Sequence, residues 1–142
     1  MKFLDANIFL RYLIPGDEAK ARACLSLLQA VKTGRESVTT SESVIAEITY
    51  VLRSKAHYGL TPAEIGARLR PILALRGLKL PNKRTFLRAF DLWDTYPTLD
   101  FEDALTVAHM ERLHLAELLS YDKDFDGIPG IQRVEPSASP TG

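Results

Sequence analysis

The sequence predicts an α/β fold in which a parallel sheet is covered by helices on both faces. Two observations predict it. Short apolar stretches alternate with longer segments of helical spacing, the pattern of repeated βαβ units. The helical segments also carry start and stop residues at their ends. Right-handed crossovers between parallel strands then restrict the winding. A chain of 142 residues can bury one sizeable core, so a single domain is expected over residues 1–136.

The first apolar run, MKFLD, reads as a short strand, and ANIFLRYLI begins a helix that Pro15-Gly16 stops. Residues 17–33 start acidic, keep Ala/Leu spacing and end basic before Gly34, which is helix chemistry at both ends. ESVTT is a second strand. Ser41 then caps a helix expected to run through residue 58 to Gly59. At 61–64, TPAE supplies a Thr cap, Pro at the first helical position and Glu64. That helix contains Gly66 and Pro71, so a kink or break is expected near residue 70. LKLP (78–81) reads as a third strand, followed by an Asn82-capped helix over 83–96. Asp100 and Asp103 open a further helix through about His114. LAELLSYD (115–122) is a fourth strand and QRVEP (132–136) a weak fifth. The tail SASPTG at 137–142 has the composition of a disordered segment.

With 46% hydrophobic and 25% charged residues, the composition is that of an ordinary soluble globule. A single cysteine, Cys24, excludes an internal disulfide and a cysteine-rich zinc site, and its setting in KARACLSLLQAV suits a small core residue. The N-terminus shows no apolar signal region, and no run reaches about 18 apolar residues, so the expected location is the cytoplasm with no membrane association. Net charge is zero but unevenly spread. Arg53 to Arg88 holds nine Lys/Arg against one acid, and Ala89 to Asp126 holds ten acids against two bases. Such asymmetry suits a protein that gathers anions on one surface and cations on another, although two solvated helical faces give the same count.

One charge interrupts the first apolar run. Asp5 lies between a strand and a helix, where an isolated buried carboxylate costs several kcal/mol unless it caps the helix, pairs or holds a cation. Ligands in open α/β sheets sit beyond the carboxyl ends of the strands, and Asp122 ends a strand in the same way. Glu47 has Val44 and Val51 at i−3 and i+4, so it is expected on the face of the core stripe. Asp103 is followed by Val107 and Met110 at i+4 and i+7 and preceded by Asp100 at i−3. Four acids from two strand ends and two helices thus point toward one rim. Without a cation they repel, and at least one should keep its proton near neutral pH. Mg²⁺ or Mn²⁺ resolves the conflict, because hard cations take oxygen ligands and pair with phosphate oxygens. The reaction class is then phosphodiester hydrolysis, with the basic residues Arg76, Lys79, Lys83, Arg84 and Arg88 tracking the rest of a polyanion.

The stretches FLDANIFLRYL, SVIAEITYVL, DFEDALTVAHM and LLSYDKDF, in this order over nearly the whole chain, resemble the PIN-domain ribonucleases. Within them the length and layout are most similar to the VapC toxins of toxin–antitoxin pairs. The resemblance implies a three-layer α/β/α sandwich with a central parallel sheet of four to five strands. It implies an endoribonuclease that depends on one or two Mg²⁺ or Mn²⁺ ions per site. It places the acidic quartet on Asp5, Glu47, Asp103 and Asp122, the small polar residue after the first aspartate on Asn7, and the hydroxyl before the last on Ser120. Asp100 and Asp124 are neighbouring acids that can replace or assist a ligand. A homodimer, an RNA substrate and a small antitoxin protein are the implied partners.

Other chemistries fit less well. His109-Met110-Glu111 imitates the H-x-E of zinc deaminases, but the P-C-x-x-C partner is absent. No G-x-S-x-G, P-loop or G-x-G-x-x-G occurs. Phosphoaspartyl phosphatases need D-x-D after the first strand, where this chain has Asp5-Ala6-Asn7, and receiver domains need an early acid pair that it lacks. Trp93 and Tyr96 are expected as core or interface aromatics. The remaining alternatives are a stand-alone RNA-processing nuclease or a non-catalytic RNA-binding module of the same fold.

Overall fold

Four short strands and six helices make up residues 1–137, the part of the chain that the computed structural model describes, with α3 to α6 following one another without an intervening strand. Beyond Ser137 the expected disordered tail lies outside the described residues. The order is β1 (Lys2–Phe3), α1 (Ala6–Leu13), α2 (Glu18–Thr33), β2 (Val38–Thr39), α3 (Glu42–Arg53), α4 (Pro62–Leu73), α5 (Lys83–Thr95), α6 (Phe101–Leu113), β3 (Glu117–Leu119) and β4 (Gln132–Val134). A 3₁₀ turn at Lys123–Phe125 follows β3.

Every strand pairing is parallel. Lys2 and Phe3 lie opposite Val38 and Thr39, and Glu117 to Leu119 lie opposite Gln132 to Val134. The expected third strand at 78–81 is reduced to one bridge, in which the Val38 N–H donates to Gly77 and the Lys79 N–H donates to Val38. Among the described residues the strands therefore pair as two separate ribbons, where one sheet of four to five strands was expected. Pro81 explains part of this, since it lacks the N–H that would extend the ladder beyond Leu80. Gly77 is required at the bridge: a Cβ there would collide with the Glu36 and Val31 carbonyl oxygens.

Local capping accounts for most helix boundaries. Asp17, Ser41 and Asp100 each accept a backbone N–H from three residues on, and Thr61 with Glu64 forms a reciprocal capping box. Three expectations are corrected. The third helix ends at Arg53, five residues short of the expected limit, because the Ser54 carbonyl collects the N–H groups of His57, Tyr58 and Gly59. The fourth helix runs unbroken through Pro71 to Leu73. Proline in the last turn forfeits one hydrogen bond where the helix is about to end, so the cost is small. Asn82 precedes α5 with φ 57° and makes no side-chain cap; its tolerance of the left-handed conformation places it there.

The two blocks of opposite charge meet across neighbouring helices, at the surface. Arg70 on α4 donates to Asp91 and Asp94 on α5, both at 2.9 Å, with Gly66 leaving room for the guanidinium. Arg88 on α5 grips Glu111 on α6 through two bonds of 2.7 and 3.0 Å. Part of the charge asymmetry is thus helix-to-helix complementarity. Cys24 is a buried free thiol, as expected. Trp93 is buried against Phe101, with ring centroids 5.6 Å apart, and donates its Nε1–H to the Leu99 carbonyl at 2.8 Å. That bond secures the turn before α6 and so places Asp100. No helix among the described residues is long and apolar enough to cross a membrane.

Candidate active site

Three of the acids are oriented by the same local device. Asp5 leaves β1 and caps α1, its Oδ1 accepting the Asn7 N–H at 2.9 Å. Asp122 leaves β3 and accepts the Asp124 N–H at 2.9 Å. Asp100 caps α6 and accepts the Asp103 N–H at 2.8 Å. Each carboxylate commits one oxygen to a backbone N–H, and a carboxylate has a second oxygen, so capping does not by itself exclude ligation. Leu4, just before Asp5, is held by the Thr40 hydroxyl, which donates to its carbonyl at 2.8 Å. Ser120 Oγ accepts the Asp122 N–H at 3.0 Å, which leaves the hydroxyl hydrogen available for donation.

Asp103 carries the electrostatic signature. Its half-buried carboxyl is pushed up to about 6, first by burial, then by the charges of Asp100 and Asp122 and by a hydrogen bond with Asp100. The N-terminal end of α6 favours an anion, and the combined burial and repulsion exceed that effect. The first turn of α6 and the end of β3 therefore bring Asp100, Asp103 and Asp122 together. The upward direction is the one expected of crowded acids, although at about 6 the carboxyl is mostly ionised at pH 7.

Glu47 is placed differently from expectation. The buried face of α3 is Ile45, Ile48, Thr49 and Leu52, whereas Glu47 is exposed and its neighbours Val44 and Val51 are only half-buried. It lines a groove of about 720 Å³ between α3 and α6, with Tyr50, Glu102, Thr106 and His109 among the other walls. A smaller depression of about 230 Å³ shares Ala46, Tyr50 and Glu102 with it and reaches Asp100. Asp5 starts α1, which packs on α3, and α3 packs in turn on α6. Among the described residues, no three His, Cys, Asp or Glu side chains converge closely enough to hold a metal ion. Asp100, Asp103 and Asp122 interact, and Glu47 lines the groove that adjoins the depression reached by Asp100, without a closed coordination shell.

The basic residues divide. Arg76, Lys79 and Lys83 line a depression that includes Met1, at the opposite end of β1 from Asp5. Lys83 Nζ donates to the Leu78 carbonyl at 2.6 Å, and burial with the nearby Lys79 charge lowers its pKa. Arg88 is committed to Glu111, and Arg84 lies beside it in a neighbouring depression.

Sequence reasoning missed a polar string at the groove. Arg112 donates to His109 Nδ1 at 3.2 Å, so the Nε2–H of His109 faces Glu42 at 3.1 Å. Glu42 and His109 lie 67 positions apart, and no local pattern could pair them.

A family model described as PIN domain matches residues 2–131. Two curated proteins are similar to the chain: VapC ribonuclease Mb1869c of Mycobacterium bovis and ribonuclease VapC13 of Mycobacterium tuberculosis. Each is 30% identical over 136 residues, which cover 94% of this chain and 99% of the relative.

Proposed function

The chain belongs to the PIN-domain family, and from that membership we propose that it is a divalent-metal-dependent endoribonuclease, the toxin of a toxin–antitoxin pair. The observation that carries this reading is the interaction of Asp100, Asp103 and Asp122, where burial first and the neighbouring charges second lift the Asp103 carboxyl to about 6. The donor set is oxygen only. Mg²⁺ keeps several waters and needs few direct carboxylates, so an open acidic rim suits it better than it would suit zinc. The same membership favours reading the two strand pairs as parts of one central sheet of four to five strands in an α/β/α sandwich. A homodimer and a cytoplasmic location go with it.

Asp5, Glu47, Asp103 and Asp122 would hold one or two Mg²⁺ or Mn²⁺ ions, with Asp100 and Asp124 within reach of the same rim. Bound there, the cation supplies Lewis acidity that stabilises charge on the phosphoryl oxygens and eases deprotonation of the attacking water. The chain's own residues do the rest. The Asn7 and Asp124 N–H groups fix the Asp5 and Asp122 carboxylates. The Ser120 hydroxyl and the Asn7 amide orient water or phosphate beside them. Asp103, whose carboxyl is raised to about 6, would be favoured in its ionised form by a cation held beside it. Attack by water leaves 5′-phosphate and 3′-hydroxyl ends.

Thermal melting tests the site. Mn²⁺ at a hundredfold excess over its Kd is expected to raise Tm by roughly 5–10 °C through binding the folded state alone. Asp5→Asn is expected to abolish that shift; an unchanged shift would remove Asp5 from the site.

Arg76, Lys79, Lys83, Arg84 and Arg88 are proposed to track RNA phosphates outside the cleavage site. Replacing Lys79 and Arg84 with alanine should weaken RNA binding for every sequence and flatten the log–log salt slope by about 1.4. Arg88→Ala should change it less, since Glu111 already occupies that guanidinium. A salt slope identical to wild type would return these residues to the role of a solvated face.

A further inference from the structure

We propose that Arg133 is a positioning residue for the acidic site, closing the neck of the loop 120–126 and so setting the carboxylates of Asp122 and Asp124. The proposal rests on the reading of that rim as a cation site.

The loop leaves β3 at Ser120 and ends at Asp126. Its internal bonds are all local: Asp122 N–H to Ser120 Oγ, Asp124 N–H to Asp122 Oδ1, and Asp126 N–H to the Lys123 carbonyl. They shape the loop, and the Ser120 N–H, donating to the Val134 carbonyl at 3.1 Å, ties its start to β4. Two side chains fasten the rest. Phe125 is buried beneath the loop. Arg133, on β4 opposite Leu118, reaches both ends at once. Its Nη1 donates to the Ser120 carbonyl at 3.1 Å, and its Nε and Nη2 fork onto the two oxygens of Asp126 at 2.8 and 3.3 Å. Nη1 also donates to Glu135 at 2.9 Å.

Three features separate this arrangement from an ordinary surface pair. The Arg133 side chain is only 13% exposed, although Asp126 and Glu135 are about half exposed. The fork plus a carbonyl needs a planar donor set that lysine cannot reproduce. The guanidinium is also matched by two carboxylates, so it has no spare charge to offer an RNA phosphate or to compete with a cation at Asp122. Asp122, Asp124 and Asp126 are alternate acids of one short loop, and Arg133 neutralises the last of them through its fork.

The test uses the full chain, calorimetric Mn²⁺ titration and RNA cleavage kinetics. Arg133→Met is expected to weaken Mn²⁺ binding about tenfold, the scale of losing a group that orients a ligand. kcat should fall while KM for RNA stays within about twofold, because the phosphate contacts lie elsewhere. Arg133→Lys should not restore the affinity. Asp126→Asn, which removes half of the fork from the exposed side, should shift affinity in the same direction and serves if the Arg133 variants fold poorly. Arg70→Gln breaks an ion pair between α4 and α5; it should lower Tm and leave the Mn²⁺ affinity at the wild-type value. Wild-type Mn²⁺ affinity in Arg133→Met or Asp126→Asn, with binding lost in Asp122→Asn, overturns the positioning role and leaves the site reading intact. Wild-type affinity in Asp122→Asn overturns both.

Discussion

Asp103→Asn is expected to lower RNA cleavage by on the order of 10³-fold while the protein stays folded. Asparagine keeps the shape and the half-buried position but cannot become the anion that the cation reading requires. EDTA should reproduce the loss. Combining the variant with Asp5→Asn or Glu47→Gln should add little, because the ligands act as one unit. Stability should move the other way. In metal-free buffer the folded Asp103 carboxyl is raised to about 6, against about 3.9 for an unfolded aspartate. The folded state therefore holds this proton more tightly. Its stabilising contribution is complete below about pH 4 and is lost as pH rises through about 6. Asp103→Asn lacks that loss, so it should melt several degrees above wild type at pH 7 to 8 and converge with it near pH 4. Melting curves across that range in EDTA provide the check. Parallel pH profiles for the two proteins would show that Asp103 is not held against the charges of Asp100 and Asp122.

Expression of the wild-type chain by itself is expected to arrest growth, and Asp103→Asn to be harmless at the same level. Co-expression of a small open reading frame encoded alongside should restore growth. The physical basis is the α3–α6 groove, walled by Glu42, Glu47 and Glu102 and bordered by Tyr50, a residue 71% exposed. A partner segment that places Arg or Lys among the acids relieves the repulsion that Mn²⁺ relieves, while apolar side chains packing on Tyr50 add affinity. Binding should therefore compete with Mn²⁺, and neutralising the quartet should weaken its salt-dependent part. Harmless high-level expression of a folded, Mn²⁺-binding protein would favour a stand-alone RNA-processing nuclease over a toxin.

Much of the candidate site was legible because it is built from short-range chemistry. Asp5 and Asp122 stand out as acids ending apolar strands, and Asp100 with Asp103 as acids opening a helix. The placement of Glu47 was read less well. Val44 and Val51 suggested the core stripe, yet α3 turns its buried face toward Ile45, Ile48 and Leu52. Helical spacing defines a face only to within a residue or so, and the neighbouring helix chooses which edge of the stripe is covered.

What the sequence alone determined was the parallel α/β class and most of the capped helix starts. Caps act over two or three residues, so Thr61–Glu64 and Asp100–Asp103 form wherever the chain goes. The tertiary structure decided the rest: the reduction of residues 78–81 to one bridge, the raised Asp103 carboxyl and the hold of Arg133 on both ends of the loop that bears Asp122. Each of these depends on burial and on partners far away along the chain. Charges separated in sequence by nineteen positions, as Asp103 and Asp122 are, interact only when the fold brings them close, and more strongly where one of them is partly buried.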